Sequence, residues 1–295
     1  MKRSIPFAEL SLLEVASSRA LFGGTLLMLA VIVGTASLMW LEFRRTEAQD
    51  RKQLELLASV MESHASQVFD NTKLTLDSLA KNLTTENHTP AQLEAQQSYR
   101  LQGLPFLRSI AIVSSEGLVL ASTTASDRGG RVDLQRLPPS PATDERVVIG
   151  AWVRGRTLTQ DMRNAAVPAG LGYIPMVRLV RLPSNAVVTL VAQINPDALA
   201  TYQRQLMEAG HPGTQVMLAL DNGTLLTQVG NDTLNLGSSL GTHPLFQGLL
   251  PAHKGTYGPL QTFQARSLGA WRSSNSQPLV ACVEQPSEAT TQQWL

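Results

Sequence analysis

Residues Leu21–Leu41 carry no charged side chain (LFGGTLLMLAVIVGTASLMWL). A helix needs about 20 apolar residues, at roughly 1.5 Å each, to cross a hydrocarbon core about 30 Å thick, and this run has that length. Inside lipid every backbone amide must be satisfied within the segment, so the pattern predicts one transmembrane helix. Polar residues then return, but periodically. Leu54, Leu57, Met61, Ala65, Val68, Thr72, Leu76, Leu79 and Leu83 step by three or four and make a single apolar stripe. No Gly or Pro lies between Glu42 and Leu83, so the span and the stripe can form one rod of roughly 95 Å. The stripe fits packing on a domain or on the same helix of a second copy, which leaves a homodimer through this helix open. Asn87–Pro90 breaks the pattern, and a short second helix is expected over Pro90–Leu101.

The period then becomes that of strands. Ser109–Ser114 is rich in β-branched residues, Ser115-Glu116-Gly117 turns, and Leu118–Ser122 returns. A Gly/Pro-rich polar loop runs from Thr123 to Asp144, and strands are expected at Val147–Val153, Tyr173–Leu182 and Val187–Ile194. Asn195-Pro196-Asp197 supplies a cap, a first-turn proline and a first-turn acid for a helix through Glu208, ended by Gly210 and Pro212. The hairpin theme recurs at Thr214–Leu220 and Thr224–Val229, with Gly223 where Gly117 stood. Pro244–Leu250 reads as a short packing helix that His243 begins; Leu260–Ser267 and Leu279–Glu284 read as strands, and Ser287 as the cap of a last helix. The class is α+β: a transmembrane helix continuing into a long helix, then two tandem antiparallel-sheet modules. The expected divisions are a tail (1–20), the span (21–41), a helical stalk (42–101), a membrane-distal module (102–195) and a membrane-proximal module (196–295).

A cleaved signal sequence is the alternative to an anchor, but a signal core runs about 7–15 residues to a small-x-small site. Here the run ends in Met39-Trp40-Leu41-Glu42-Phe43-Arg44-Arg45, an aromatic and basic interface anchor. Lys2, Arg3 and Arg19 before the span nearly balance Arg44, Arg45, Arg51 and Lys52 after it. A cytoplasmic N-terminus is expected because long domains translocate largely regardless of charge. Residues 42–295 then lie outside the cytosol, tethered to the inner (plasma) membrane.

Formal net charge is +1, so no field draws nucleic acid. Cys282 is the only cysteine, which excludes an internal disulfide and a Cys-rich metal site and suits a packing role. Four Asn-x-Thr triplets (Asn82, Asn87, Asn222, Asn231) carry little weight. The five histidines (His64, His88, His211, His243, His253) are scattered, with no i, i+4 pair for a metal. Nucleophile elbow and phosphate loop are both missing, so neither catalysis nor a cofactor or metal is expected. The candidate binding residues are Trp152, Arg154 and Arg156 at alternate positions, with Tyr173 and Arg178 on the next strand. An aromatic wall with guanidinium groups suits a small anion, whether a carboxylate metabolite or an amino acid. The plainer alternative is solvated arginines and a core tryptophan. The loop Thr123–Asp144, hinged at Gly129-Gly130, reads equally as a lid or as a disordered insertion. Trp271 and Arg272 read as structural.

Several phrases, in order, resemble the double Cache sensor family of bacterial receptors. They are Ile110-Ala111-Ile112-Val113 with Glu116-Gly117, Val148-Ile149-Gly150 with Gly155-Arg156, and Ile174-Pro175-Met176-Val177-Arg178. Val191-Ala192-Gln193-Ile194-Asn195-Pro196, Asp221-Asn222-Gly223-Thr224-Leu225-Leu226 and Pro278-Leu279-Val280-Ala281-Cys282-Val283 follow. The resemblance covers residues 45–295 and implies two PAS-like modules that sense a small molecule outside the cytosol. In that family a second span leads to a cyclase, kinase or chemoreceptor output. This sequence stops where that span would begin, with Trp294 placed like an anchor, so the output is expected to be lost or supplied by a partner. The Tyr/Arg/Trp/Tyr/Asp signature of amino-acid-binding members cannot be aligned here, which leaves the ligand open. Ligand closure is expected to move the long helix by an ångström or two. The rival reading is an envelope scaffold that uses the exported domain for protein contacts.

Overall fold

The computed structural model describes residues 7–85, 103–139, 146–159, 170–208, 213–230, 234–262 and 266–288, with side chains of the first helix from Gly24 onward. The helix expected over Pro90–Leu101, the end of the loop before Asp144, and Trp294 lie outside the described residues.

Helix α1 is Phe7–Thr85. Residues 1–50 form one compact unit and the chain from Arg51 another. In the first unit every residue from Gly24 to Leu41 is exposed, and the helix there is long and apolar enough to cross a membrane. The Arg44 guanidinium lies 4.0 Å from the Trp40 ring centroid, at the end of the apolar run.

In the second unit the apolar stripe is the buried face of α1. Leu54, Met61, Ala65, Val68, Thr72, Leu76 and Leu79 are all buried, and Leu57 and Leu83 pack at its margin. Straight-chain residues and alanine keep helical propensity high along this face, so packing and local preference agree.

Two antiparallel sheets follow. The first contains β1 (Leu107–Ser114), β2 (Val119–Ser122), β3 (Val147–Ile149), β4 (Val153–Arg154), β5 (Gly172–Arg181) and β6 (Val187–Ile194). Its order is β2-β1-β6-β5-β3, with β4 also paired to β5. Helix α2 (Pro196–Met207) follows, capped by Asn195, whose side chain accepts from the Asp197 amide. The second sheet contains β7 (Gln215–Leu220), β8 (Leu225–Val229), β9 (Lys254–Gln261), β10 (Arg266–Ser273) and β11 (Leu279–Pro286), ordered β8-β7-β11-β10-β9. Both sheets thus have the same path: an outer hairpin, the last strand beside it, then the preceding strand and an edge.

One apolar core joins α1 to the inner faces of both sheets, including Ile110, Ile174, Met176 and Leu190 of the first and Val216, Leu218, Leu268 and Val283 of the second. Polar contacts set the order along the helix. Ser66 meets Ser274, and Asp70 accepts from Ser276 and Gln277, at the second sheet; Asp77 pairs with Arg178 at the first. Each outer face has its own core under the chain that follows its hairpin. Burial on both faces explains why β1, β6 and β11 read as nearly unbroken apolar runs.

Three expected elements differ. Val147–Val153 is split into β3 and β4: Gly150 donates to Pro175 O at 2.8 Å, but Pro175 has no amide hydrogen to give back to the ladder. The strand expected at Leu260–Ser267 is the end of β9 and the start of β10, on either side of a reversal. Pro244–Leu250 holds a single helical turn, Leu245–Leu249, with Gly248 extended inside it.

Candidate functional site

Strand β4 is only two residues long, and Gly155 (φ 138°) ends it. The alternation that would align Trp152, Arg154 and Arg156 on one face therefore does not continue past Arg154. Trp152 is half-buried and lies flat on Gly172, where a Cβ would fall 2.1 Å from the indole. Its carbonyl oxygen is 3.0 Å from the position a Cβ would take on Gly237, so the chain after β8 packs on Trp152. Arg154 and Arg156 are exposed.

Between the sheets opens a cleft of about 740 Å³ lined by Trp152, Arg154, Gly170, Arg204, Gln228, Val229, Gly230, Leu234, Asn235 and Leu236. That volume is within the range of small-molecule sites. Trp152, Arg154 and Gly170 come from the first module, Arg204 from α2, and the rest from the end of β8 and the chain after it. Two polar atoms of these side chains, Trp152 Nε1 and Gln228 Nε2, are buried and have no hydrogen-bond partner among the described residues. The other end of the same amide is engaged: Gln228 Oε1 accepts from the Leu234 amide at 2.9 Å.

Tyr173 and Arg178 go elsewhere. Tyr173 is fully buried in the outer core of the first sheet, with Val113, Val119, Val132, Leu137 and Val177. Burial pushes its phenol up to about 12; Arg136 and Gln193 oppose that shift, and Asp127 adds to it. Arg178 forms an ion pair with Asp77 of α1, and burial lowers its pKa. Arg156 acts on the half-buried Arg108, whose guanidinium donates to Gly172 O (2.6 Å), Asn195 Oδ1 (2.7 Å) and Asp197 Oδ2 (3.0 Å). Burial lowers the Arg108 pKa, Asp197 opposes this, and Arg156 adds to it. Of the five expected residues, Trp152 and Arg154 share the cleft, and the other three stand at separate places.

The loop after β2 is an ordered cover in its described part. Gly129 donates to Val119 O at 3.0 Å, Val119 to Gly130 O at 3.0 Å, and Val132 to Gly117 O at 2.8 Å. Asp127 is fully buried beneath it and accepts from the amides of Leu158 (3.3 Å) and Thr159 (3.0 Å) and from the Thr159 hydroxyl (2.8 Å).

Sequence reasoning missed Arg204, Gln228 and Asn235, which lie far from Trp152 along the chain and reach the cleft only through the packing of the two sheets. It also missed a buried polar cluster under the second sheet. There His243 Nε2 is 2.6 Å from Glu284 Oε1, and Tyr257 donates to the same oxygen. The Leu245 amide donates to His243 Nδ1 at 3.2 Å, which leaves the proton on Nε2. Burial, and then Glu284, raises the neighbouring Cys282 thiol well above its ordinary value, while Tyr257 opposes the shift. A His and a Glu forty-one residues apart give no spacing signal. Among the described residues no group of three or more His, Cys, Asp or Glu could hold a metal ion.

No protein-family model and no curated protein matches the sequence. Solved structures match across most of the chain. The extracellular domain of rpHK1S-Z16, named as a histidine kinase, has a TM-score of 0.66 at 19% identity over 84% of this chain and 98% of its own. The periplasmic sensory domain of the Campylobacter jejuni chemoreceptor Tlp1 gives 0.62 at 12% identity, over 83% of this chain and 98% of its own. The ligand-binding domain of the Pseudomonas aeruginosa PAO1 amino acid chemoreceptor PctB, solved with L-Arg, gives 0.55 at 13% identity, over 80% and 86%. At these identities the likeness is one of fold. Two antiparallel sheets on one long helix are thus a fold that this chain shares with those extracellular and periplasmic domains.

Proposed function

We propose that this chain is a membrane-anchored sensor: residues 21–41 cross the membrane with the N-terminus in the cytoplasm, and the part that follows binds a small molecule outside. It carries no chemistry of its own. The observation that supports this most is that both sheets pack on one face of one helix, α1. A ligand that alters either sheet therefore acts on the same element. Shifts of an ångström or two at packed helices are a recognised route for signals, provided the ligand prefers one arrangement. The sensory domains of similar fold support the reading, and the PctB domain, solved with L-Arg, indicates that the fold can hold a small metabolite.

The test uses the full chain in lipid nanodiscs, screened by thermal shift against amino acids, organic acids and amines. A sensor gains stability as RT ln(1 + [L]/Kd), about 2.7 kcal/mol at a hundredfold excess over Kd. Cysteine crosslinking between copies along Leu54–Leu83 then reads the helix. A yield that is the same with and without the stabilising compound would rule out signalling through α1. Reporter fusions at either end test the orientation.

A further inference from the structure

We propose that the second module carries a proton-operated latch: His243 takes up a proton on Nδ1 and so releases the turn at Leu245–Leu249 from the sheet it covers. The input here is the proton itself, so the latch goes beyond small-molecule sensing and does not depend on it.

The His243 and Glu284 side chains are closed off from solvent, at 0% and 2% exposure. His243 Nε2 lies 2.6 Å from Glu284 Oε1, and Tyr257 donates to the same oxygen. The Leu245 amide donates to Nδ1 at 3.2 Å, so Nε2 holds the ring proton. Among the described residues, the titratable groups that face the pair are Tyr257 of β9 and Cys282 of β11, whose sulfur is 3.3 Å from the phenol oxygen. Opposite Glu284 on β7 and β10 stand Gln215 and Gly269, neither of them charged. Phe246 lies edge-on to the imidazole, 6.5 Å away. Burial pushes the Tyr257 phenol and the Cys282 thiol well above their ordinary values, and Glu284 adds to both shifts. Both keep their protons throughout the acid range, which leaves His243 and Glu284 to take up another.

An incoming proton has two possible seats. On Glu284 it would turn an acceptor into a donor that faces the donors Tyr257 and His243. On Nδ1 of His243 it leaves both bonds to Glu284 in place, and it pairs an imidazolium with the carboxylate so that the buried charges cancel. The second seat breaks one bond. Nδ1–H then points at the Leu245 N–H, donor against donor, and that contact is lost. Leu245 begins the turn, and Leu250 closes it by donating to Leu245 O at 3.3 Å. Proton uptake and opening of the turn are therefore one event.

Strand β11 carries this event inward. Val280 and Cys282 line the outer core beneath the cover, while Leu279, Ala281 and Val283 pack in the core shared with α1. A cover released from one face of β11 loosens the strand whose other face meets the helix.

Hydrogen exchange of the full chain in nanodiscs tests this, each rate being divided by the intrinsic rate at the same pH. Between about pH 7.5 and 5 the amides of Leu245–Leu250 should lose protection at least tenfold, while those of β1 and β6 change less than twofold. H243N keeps an acceptor toward the Leu245 amide but cannot be protonated, and should hold protection within twofold over that range. E284Q should do so too, because an imidazolium there would lack its counter-charge. Should either variant fail to fold, exchange of the His243 C2 hydrogen in the parent, which follows imidazole protonation, must change over the same pH interval as the Leu245 amide. Unchanged protection in the parent, a full response in either folded variant, or a fall at Leu245 without a change at His243 overturns the proposal. So does loss of protection everywhere at once, which is acid unfolding of the whole chain and not a latch.

Discussion

In the first sheet the hairpin turn is closed by Gly117 donating to Ser114 O at 3.0 Å; in the second, Gly223 donates to Leu220 O at 2.9 Å. The correspondence continues past the hairpins. Gly129 donates to Val119 O and Val132 to Gly117 O in the first, and Gly237 donates to Leu225 O and Leu240 to Gly223 O in the second. Gln193 and Glu284 hold the same place, Gln193 across from Ser109 and Pro175, Glu284 across from Gln215 and Gly269. There the sheets diverge. The first has a neutral amide on its central strand and buries its acid, Asp127, in the cover, where backbone amides hold it. The second has the acid on the strand itself, held by the side chains of His243 and Tyr257. One backbone plan thus fastens its outer cover in two ways, one through the backbone and one through a side-chain network.

The network should be the more fragile fastening. His243→Ala leaves Glu284, 2% exposed, with one donor fewer, and an under-satisfied buried acceptor costs about 1–3 kcal/mol, more where it carries charge. Removing the charge as well, in H243A/E284Q, should recover a good part of that loss in urea unfolding. Simple additivity of the two changes would mean that Glu284 does not depend on His243.

Alkali tests both outer cores. Burial raises Tyr173 to about 12, and raises Tyr257 well above its ordinary value, with Cys282 and Glu284 adding to the effect. Each phenol has a higher pKa folded than unfolded, so its contribution is complete below about pH 10 and lost as pH climbs toward the folded value. For Tyr173 a shift of this size corresponds to about 2–3 kcal/mol. Absorbance at 295 nm should therefore show these two phenolates forming together with unfolding, not before it. Tyr173→Phe should flatten the stability loss between pH 10 and 12. Early ionisation of either residue in the native state would contradict the packing described here.

On the first sheet, Asp127→Asn replaces an oxygen that accepts with an amide that donates, facing the Leu158 and Thr159 amides. A loss of about 1–3 kcal/mol is expected, with faster hydrogen exchange confined to those amides and to the cover. If exchange spreads to β7–β11 as well, the two covers are not independent fastenings.

Much of this plan is legible in the chain. The α1 stripe from Leu54 to Leu83 is visible because helical period and burial coincide there, and the two hairpins because Gly117 and Gly223 need positive φ (82° and 85°). β9 was not legible: Gly255, Gly258 and Pro259 argue against a strand. They are tolerated because β9 is an edge and because Trp271 occupies the space above Gly255. Gly269 in β10 misleads in the same way, since it makes room for the Tyr257 ring that reaches Glu284. At the cleft, Trp152 and Arg154 are the two residues that the aromatic–basic pattern also singles out. Arg204 and Gln228 could not be read in this way, because contact between modules leaves no periodicity in either one.

The smallest expected effect separates the two sheets most cleanly. Gly129 (φ 73°) and Gly237 (φ 81°) hold equivalent positions. A Cβ on Gly129 meets nothing within 4 Å, so Gly129→Ala should cost only the left-handed backbone strain, about 1 kcal/mol. A Cβ on Gly237 meets the Trp152 carbonyl at 3.0 Å. Gly237→Ala should add a steric cost to the same strain and push the second module away from Trp152. A larger loss at Gly237, accompanied by a change in Trp152 fluorescence that Gly129→Ala does not produce, would mean that the equivalent loops have come to serve different ends. One only covers its own sheet, and the other also holds the neighbouring module in register. Equal losses with no change in the indole would mean that the modules do not lean on each other at this point, and that the cleft beside it is free to widen.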